Sequence, residues 1–239
     1  MEVKYKPNNI YNVDSYKAIK EIPDKSIDCI YTDVPYLIDD GGCSGSALSQ
    51  RIKRVQKEEI ESIRKGIDYS IFDEFVRVMK KGNIFIWCSK RQIFDILNYF
   101  NQKCGWTFEI LVWCKTNPTP MTNNVWLPDV EYCLYFREKG VRYNNGYEFK
   151  SKFYYAPKNK KDKDLYDHPT IKPLELVKRH LEHTTQENDI VLDPFLGSGT
   201  TAVACELNNR KWIGFEIEGK YIEVINKRLE QIRLKDSSK

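Results

Sequence analysis

Hydrophobic positions along this chain fall into two rhythms, short continuous runs and longer stretches with a period near 3.6. The runs at Ser26–Thr32 (with Ile27, Cys29, Ile30 and Tyr31), Ile84–Cys88, Thr107–Cys114, Val130–Phe136, Ile190–Leu192 and Trp212–Phe215 predict buried strands. The helical rhythm predicts a helix over Ile67–Lys80, where Ile71, Phe72, Phe75, Val78 and Met79 share a face before Gly82 stops it. It predicts another over Gln92–Gln102, with Ile93, Ile96, Leu97 and Phe100 aligned. Three more helices follow at Pro173–His183, Gly199–Leu207 and Lys220–Leu234. Strands alternating with helices imply an α/β fold, a mostly parallel sheet covered on both faces.

Two stretches break this rhythm. Residues 37–65 start as a glycine-rich loop (Gly41, Gly42, Gly45) and become strongly charged, which predicts a mobile loop. Between Arg137 and Lys163 nine Lys or Arg face three Asp or Glu, interleaved with Tyr143, Tyr147, Phe149, Phe153, Tyr154 and Tyr155. A basic, aromatic insertion in one domain is therefore expected.

Composition narrows the class. A chain of 239 residues holds one α/β domain with a sizeable core and is short for two. No apolar run approaches the roughly 20 residues a membrane span needs. The polar start, Met1 to Asn9, carries no signal-like apolar region. Seven dispersed cysteines show no C-x-x-C pair and no zinc spacing, so reduced thiols, a cytoplasmic setting and no metal are expected. The net charge of +4 is mild. A polyanionic partner would have to be held by local patches such as 137–163.

Two strand ends carry candidate chemistry. Val191-Leu192-Asp193-Pro194-Phe195-Leu196-Gly197-Ser198-Gly199-Thr200-Thr201 reads as a strand entering a glycine turn that opens a helix. In a doubly wound sheet a ligand sits there, against the helix start. Glu216 ends the next strand, where a carboxylate suits a grip on ribose hydroxyls. Alone, either feature is as often structural; together they point to a nucleoside-bearing ligand. Thr32-Asp33-Val34-Pro35-Tyr36 also ends a strand. A carboxylate and a main-chain carbonyl there can accept both N–H groups of an amine, and Tyr36 offers a flat face. By itself D-x-P-Y is usually only a turn.

These segments, in this order, resemble the β group of amino-group DNA methyltransferases. Asp33-Val34-Pro35-Tyr36 is similar to their D-P-P-Y catalytic motif and Asp193–Thr201 to their D-P-F-x-G-S-G-T-T cofactor motif. His168-Pro169-Thr170-Ile171-Lys172-Pro173 is similar to the H-P-T-x-K-P element before it. Trp113-Cys114-Lys115-Thr116-Asn117-Pro118, Glu131 and Val13-Asp14 extend the likeness over nearly the whole chain.

The resemblance implies a Rossmann-like, circularly permuted fold with a seven-stranded sheet, and methyl transfer from S-adenosylmethionine to an exocyclic amine of DNA. Adenine N6 is the leading target because position 33 is aspartate; cytosine N4 and a degenerate cofactor- or DNA-binding module remain alternatives. Asp33, Val34, Pro35 and Tyr36 would form the catalytic turn. Val13, Asp14, Asp33, Asp193, Pro194, Phe195, Gly197, Ser198, Gly199, Thr200, Thr201 and Glu216 would hold the cofactor, with His168, Thr170 and Lys172 closing its methionine end. Lys115, Asn117, Arg142, Lys150, Lys152, Tyr154, Lys158, Lys160 and Lys161 would face DNA. Residues 1–136 and 168–239 would then be the two parts of the catalytic domain and 137–167 the target-recognition insertion. The expected partners are DNA and a cognate restriction endonuclease, with the chain a monomer or homodimer. Val34 departs from the family's proline, and Val34→Pro is expected to be tolerated or mildly activating, because it restores a constrained φ and keeps the acceptor carbonyl.

Overall fold

The computed structural model describes residues 4–37, 66–120, 126–141, 143, 146–147, 150–158 and 171–236. Among them run eight strands: β1 (Asn9–Asn12), β2 (Cys29–Asp33), β3 (Asn83–Cys88), β4 (Thr107–Lys115), β5 (Val130–Arg137), β6 (Phe153–Ala156), β7 (Ile190–Asp193) and β8 (Lys211–Glu216). They form one sheet in the order β1-β8-β7-β2-β3-β5-β4-β6. Only β5 opposes its neighbours β3 and β4, so the other seven strands share a direction.

The helices are α1 (Ser15–Ala18), α2 (Ile71–Val78), α3 (Ile93–Leu97), α4 (Leu174–Thr184), α5 (Thr200–Leu207) and α6 (Gly219–Asp236). Alternation along the strands sorts side chains into two cores. Ile30, Ile84, Ile86, Leu134 and Phe136 meet Phe72, Phe75, Ile96 and Phe100 on one face. Cys29, Tyr31, Phe85 and Trp87 meet Leu176, Val177, Leu181, Val203 and Ile225 on the other. Both faces of a parallel sheet must be covered because its strands are apolar on both sides, and here they are.

Three elements differ from expectation. The sheet has eight strands rather than seven, and β1 and β6 had no local signal. Each is a four-residue strand with partly exposed residues, paired on one side only, and its existence depends on a neighbour across the sheet. The helix expected over Gln92–Gln102 is α only to Leu97 and continues as a π-helical segment, Asn98–Lys103. His180 is buried: its Nδ1 lies 3.1 Å from the Tyr31 hydroxyl and its ring stacks on Phe85 at 5.1 Å. Burial pulls its pKa down to about 3, so it is a neutral core residue.

Candidate active site

The shared strand direction brings acidic residues to one edge of the sheet. Asp33, Asp193 and Glu216 end β2, β7 and β8, and Asp14 follows β1. β5 runs the other way and starts there, adding Glu131. Residues from 14 to 216 thereby become neighbours.

β2 leaves the sheet at Asp33 and enters the turn. The Val34 amide donates to the Trp87 carbonyl at 3.2 Å, tying the turn to β3. Pro35 is held through its carbonyl, which accepts from Gln92 Nε2 at 2.9 Å. Gln92 is itself buried, and its Oε1 accepts from the Ser89 amide at 3.0 Å. Among the described residues nothing donates to the Val34 carbonyl. That leaves it available as an acceptor beside the Asp33 carboxylate.

Four charged groups alternate behind this turn. Lys115 Nζ pairs with Glu131 Oε1 at 2.9 Å, Glu131 Oε2 with Lys172 Nζ at 3.0 Å, and Lys172 Nζ donates to Asp33 Oδ2. Lys172 is 7% exposed, and its ammonium lies 3.4 Å from the Tyr36 hydroxyl and 5.2 Å from the Trp87 ring centre. Asp33 Oδ1 is buried, and among the described residues it has no hydrogen-bond partner. Burial lifts the Asp33 carboxyl above its ordinary range, outweighing the pull of Lys172, and Glu131 adds to the rise. Burial also pushes Glu131 up, but Lys172 and Lys115 outweigh it and hold the carboxyl low. Lys172 is lifted by Asp33 and Glu131 against the downward pull of burial. The lysine expected at the methionine end thus reaches Asp33.

The glycine turn lies between β7 and α5. Asp193 accepts from the Phe195 amide at 3.1 Å and from the Thr201 hydroxyl at 2.7 Å, which fixes the turn to the helix it opens. Gly199 has φ +77°, and a Cβ there would stand 2.8 Å from Ile225, so this glycine serves helix packing. Gly197 also has positive φ, +52°, and its amide donates to Glu216 Oε2 at 2.7 Å. Glu216 Oε1 accepts from the Glu218 amide at 2.8 Å, so both oxygens are oriented and each keeps a further lone pair. Ser198 and Thr200 are buried, with hydroxyls 3.1 Å apart, and Arg228 donates to the Ser198 carbonyl. The Pro194 carbonyl accepts from the Ser15 hydroxyl, and the Val13 amide donates to the Glu216 carbonyl at 3.2 Å. Asp14 caps α1 through the Tyr16 amide at 2.9 Å, and Phe195 packs edge-on against Tyr16 at 6.0 Å.

A model of the DNA methylase family matches residues 27–227, most of the chain and every element of this edge but β1 and α1. The chain belongs to the DNA methylase family. This methylase is 30% identical to the type II methyltransferase M2.LlaDCHI of Lactococcus lactis subsp. cremoris, over 93% of the chain and 89% of the relative. It is 29% identical to M2.DpnII of Streptococcus pneumoniae, over 91% and 87%. Among solved structures it resembles the M1.HpyAVI–SAM complex, with a TM-score of 0.68, 26% identity and coverage of 92% and 98%. The cytosine-N4-specific PvuII DNA methyltransferase shares the fold alone, with a TM-score of 0.70, 18% identity and coverage of 95% and 90%.

Several residues of the methylase expected to face DNA sit otherwise. Lys115 turns inward to Glu131 and is 12% exposed, because that half-buried carboxylate needs a counter-charge. Tyr154 faces α4, where the Arg179 guanidinium lies 5.1 Å from its ring centre. Strand alternation leaves its neighbours Phe153 and Tyr155 outward, at 53% and 73% exposure. Asn117 ties two chain segments, accepting from the Lys158 amide at 2.6 Å and donating to its carbonyl at 3.3 Å. Lys158 Nζ donates to the Thr119 hydroxyl at 2.8 Å, Lys152 pairs with Glu109, and Lys150 is exposed. Arg142, Lys160, Lys161, His168, Thr170 and residues 38–65 lie outside the described residues. Gln92 and Trp87 carried no assigned role. The Ser89-x-x-Gln92 spacing is a helix-capping pattern and was the available signal for Gln92; Trp87 had none.

Proposed function

We propose that this methylase transfers the methyl group of S-adenosylmethionine to the exocyclic N6 of adenine, on a base turned out of the DNA stack. The observation that carries the reading is the Asp33 carboxylate, whose Oδ1 is unpartnered among the described residues, next to the unengaged Val34 carbonyl. Two acceptors side by side match the two N–H groups of an amine. Taking both draws the nitrogen lone pair out of the ring and aims it away from the acceptors. Tyr36 adjoins them and supplies a stacking face worth about 1–3 kcal/mol for an extruded base. Aspartate at this position favours adenine over cytosine, whose enzymes in this family more often carry serine.

The donor set suits the cofactor. Glu216, oriented by two amides, retains lone pairs for the vicinal hydroxyls of a ribose. Phe195 and Asp14 flank the same edge. When bound, S-adenosylmethionine supplies an electrophilic methyl group. The chain's own residues orient the amine, hold the base and exclude water from the acceptors.

On the same reading residues 137–167 form the target-recognition part between the two parts of the catalytic domain. The protein works in the cytoplasm on DNA, as a monomer or homodimer beside a cognate restriction endonuclease. The type II names of the relatives support that setting. No helix among the described residues is long and apolar enough to cross a membrane.

Transfer of labelled methyl to DNA, followed by digestion to nucleosides, tests the assignment. N6-methyladenine is expected from the wild type, with at least a roughly 100-fold loss of rate in Asp33→Ala. N4-methylcytosine as the product would overturn the choice of base. Labelled product from Asp33→Ala at the wild-type rate would overturn the catalytic turn.

A further inference from the structure

We infer that Lys172 divides the Asp33 carboxylate between two tasks: it occupies Oδ2, Glu131 and Lys115 hold it there as positioning residues, and Oδ1 alone is left to accept the amine. Lys172 donates to Oδ2, and Oδ1, buried on the same carboxyl, has no partner among the described residues. A buried carboxylate with no counter-charge takes up a proton. Protonated, it would present an O–H where an amine needs an acceptor. Lys172 opposes that, and its place immediately before Pro173 and α4 fixes where its stem begins.

A lysine paired with Asp33 alone would neutralise the acceptor it protects. Glu131 shares the ammonium at 3.0 Å, so Asp33 keeps more of its negative charge. Glu131 in turn needs Lys115, at 2.9 Å, to stay ionised at this depth. The chain of four charges is neutral overall, which makes its burial tolerable, and removing one member leaves an unbalanced charge inside. The rings of Trp87 and Tyr36 lie 5.2 and 5.6 Å from the ammonium and stabilise it from two further sides.

Other groups also face Asp33. They are Tyr31 from β2, Tyr36 from the turn, Cys88 from β3, Cys133 from β5 and Asp193 from β7. Burial pushes the Cys88 thiol up to about 12 and lifts the Cys133 thiol and the Tyr31 and Tyr36 hydroxyls well above their ordinary values, so all four are neutral near neutral pH. Asp193 titrates near 7, which requires reading Asp33 by its own signal.

The inference rests on the proposed amine methylation only for what Oδ1 receives. Carboxyl-carbon NMR of the protein without DNA reads the Asp33 titration directly, its signal assigned by its absence in Asp33→Asn. Lys172→Met should raise that titration by about 1–3 pH units, and Glu131→Gln should lower it. Lys172→Arg, which keeps the charge, should return it toward the wild-type position. The acid limb of the pH profile of kcat should move the same way in each variant. A merely structural role for these residues would not produce opposite displacements. Titrations that move together, or not at all, overturn the inference. If Lys172→Met does not fold, Glu131→Gln decides: an unmoved or raised Asp33 titration overturns it. Opposite displacements in a protein that methylates no DNA would uphold the charge chain and sink the functional reading. Methylation with titrations that move together would do the reverse.

Discussion

Asp193 has both carboxylate oxygens engaged, one by an amide and one by a hydroxyl, yet burial still lifts its pKa from 3.8 to about 7. Thr201 and Phe195 lower it, but they do not replace the water lost. An acid whose pKa is raised on folding contributes stability that is complete below the unfolded value and is lost as pH climbs through the folded one. The window is therefore about pH 4 to 7, and the span corresponds to at most about 4 kcal/mol. Asp193→Asn should remove this dependence, so that thermal unfolding shows the wild type losing stability relative to the variant between pH 4 and 8. A difference independent of pH would show that Asp193 is not the group responsible. At this scale the residue types were legible. Which carboxylate accepts, which is pinned and which titrates was not, because those properties depend on neighbours more than 100 positions away, such as Lys172 for Asp33.

At the scale of elements, the turn after β2 shows what valine at 34 does. Its amide bonds to the Trp87 carbonyl and its side chain is buried in the core around Ile30 and Phe72. Proline in its place would remove that N–H, which argues against the expectation that Val34→Pro is tolerated or mildly activating. We expect Val34→Pro to destabilise the protein by about 1 kcal/mol in denaturant unfolding and to lower kcat as the turn loosens. Unchanged stability would mean that the bond to β3 adds little. The other end of the turn is held by Gln92, at the mouth of α3. The motif was thus legible, and its two supports were not: neither the Trp87 carbonyl nor the Gln92 amide is adjacent in sequence.

For the whole molecule, a weak net charge leaves phosphate binding to local patches. Lysines near β6, around the exposed Phe153 and Tyr155, lie beyond β4 at the outer side of the sheet. If they neutralise phosphates, log affinity for DNA falls linearly with log salt, with a slope of nearly one for every phosphate neutralised. Replacing Lys158, Lys160, Lys161 and Lys163 together with Gln should flatten that slope by about 2–4, measured by fluorescence anisotropy between low and moderate salt, while calorimetric affinity for S-adenosylmethionine holds. An unchanged slope would assign phosphate binding elsewhere.

From the sequence alone came the α/β class, the order of the motifs, the turn after β2 and the glycine turn. These depend on local periodicity and on residue types at fixed short spacings, which every stretch of chain carries within itself. The edge strands β1 and β6, the inward turn of Lys115 and Tyr154, and the buried chain Lys115–Glu131–Lys172–Asp33 were decided only by the tertiary structure. A short strand exists when a partner offers unpaired backbone groups, and a lysine turns inward when a buried carboxylate needs its charge. Both causes come from elements far away in sequence, brought together when seven parallel strands deliver their ends to one edge.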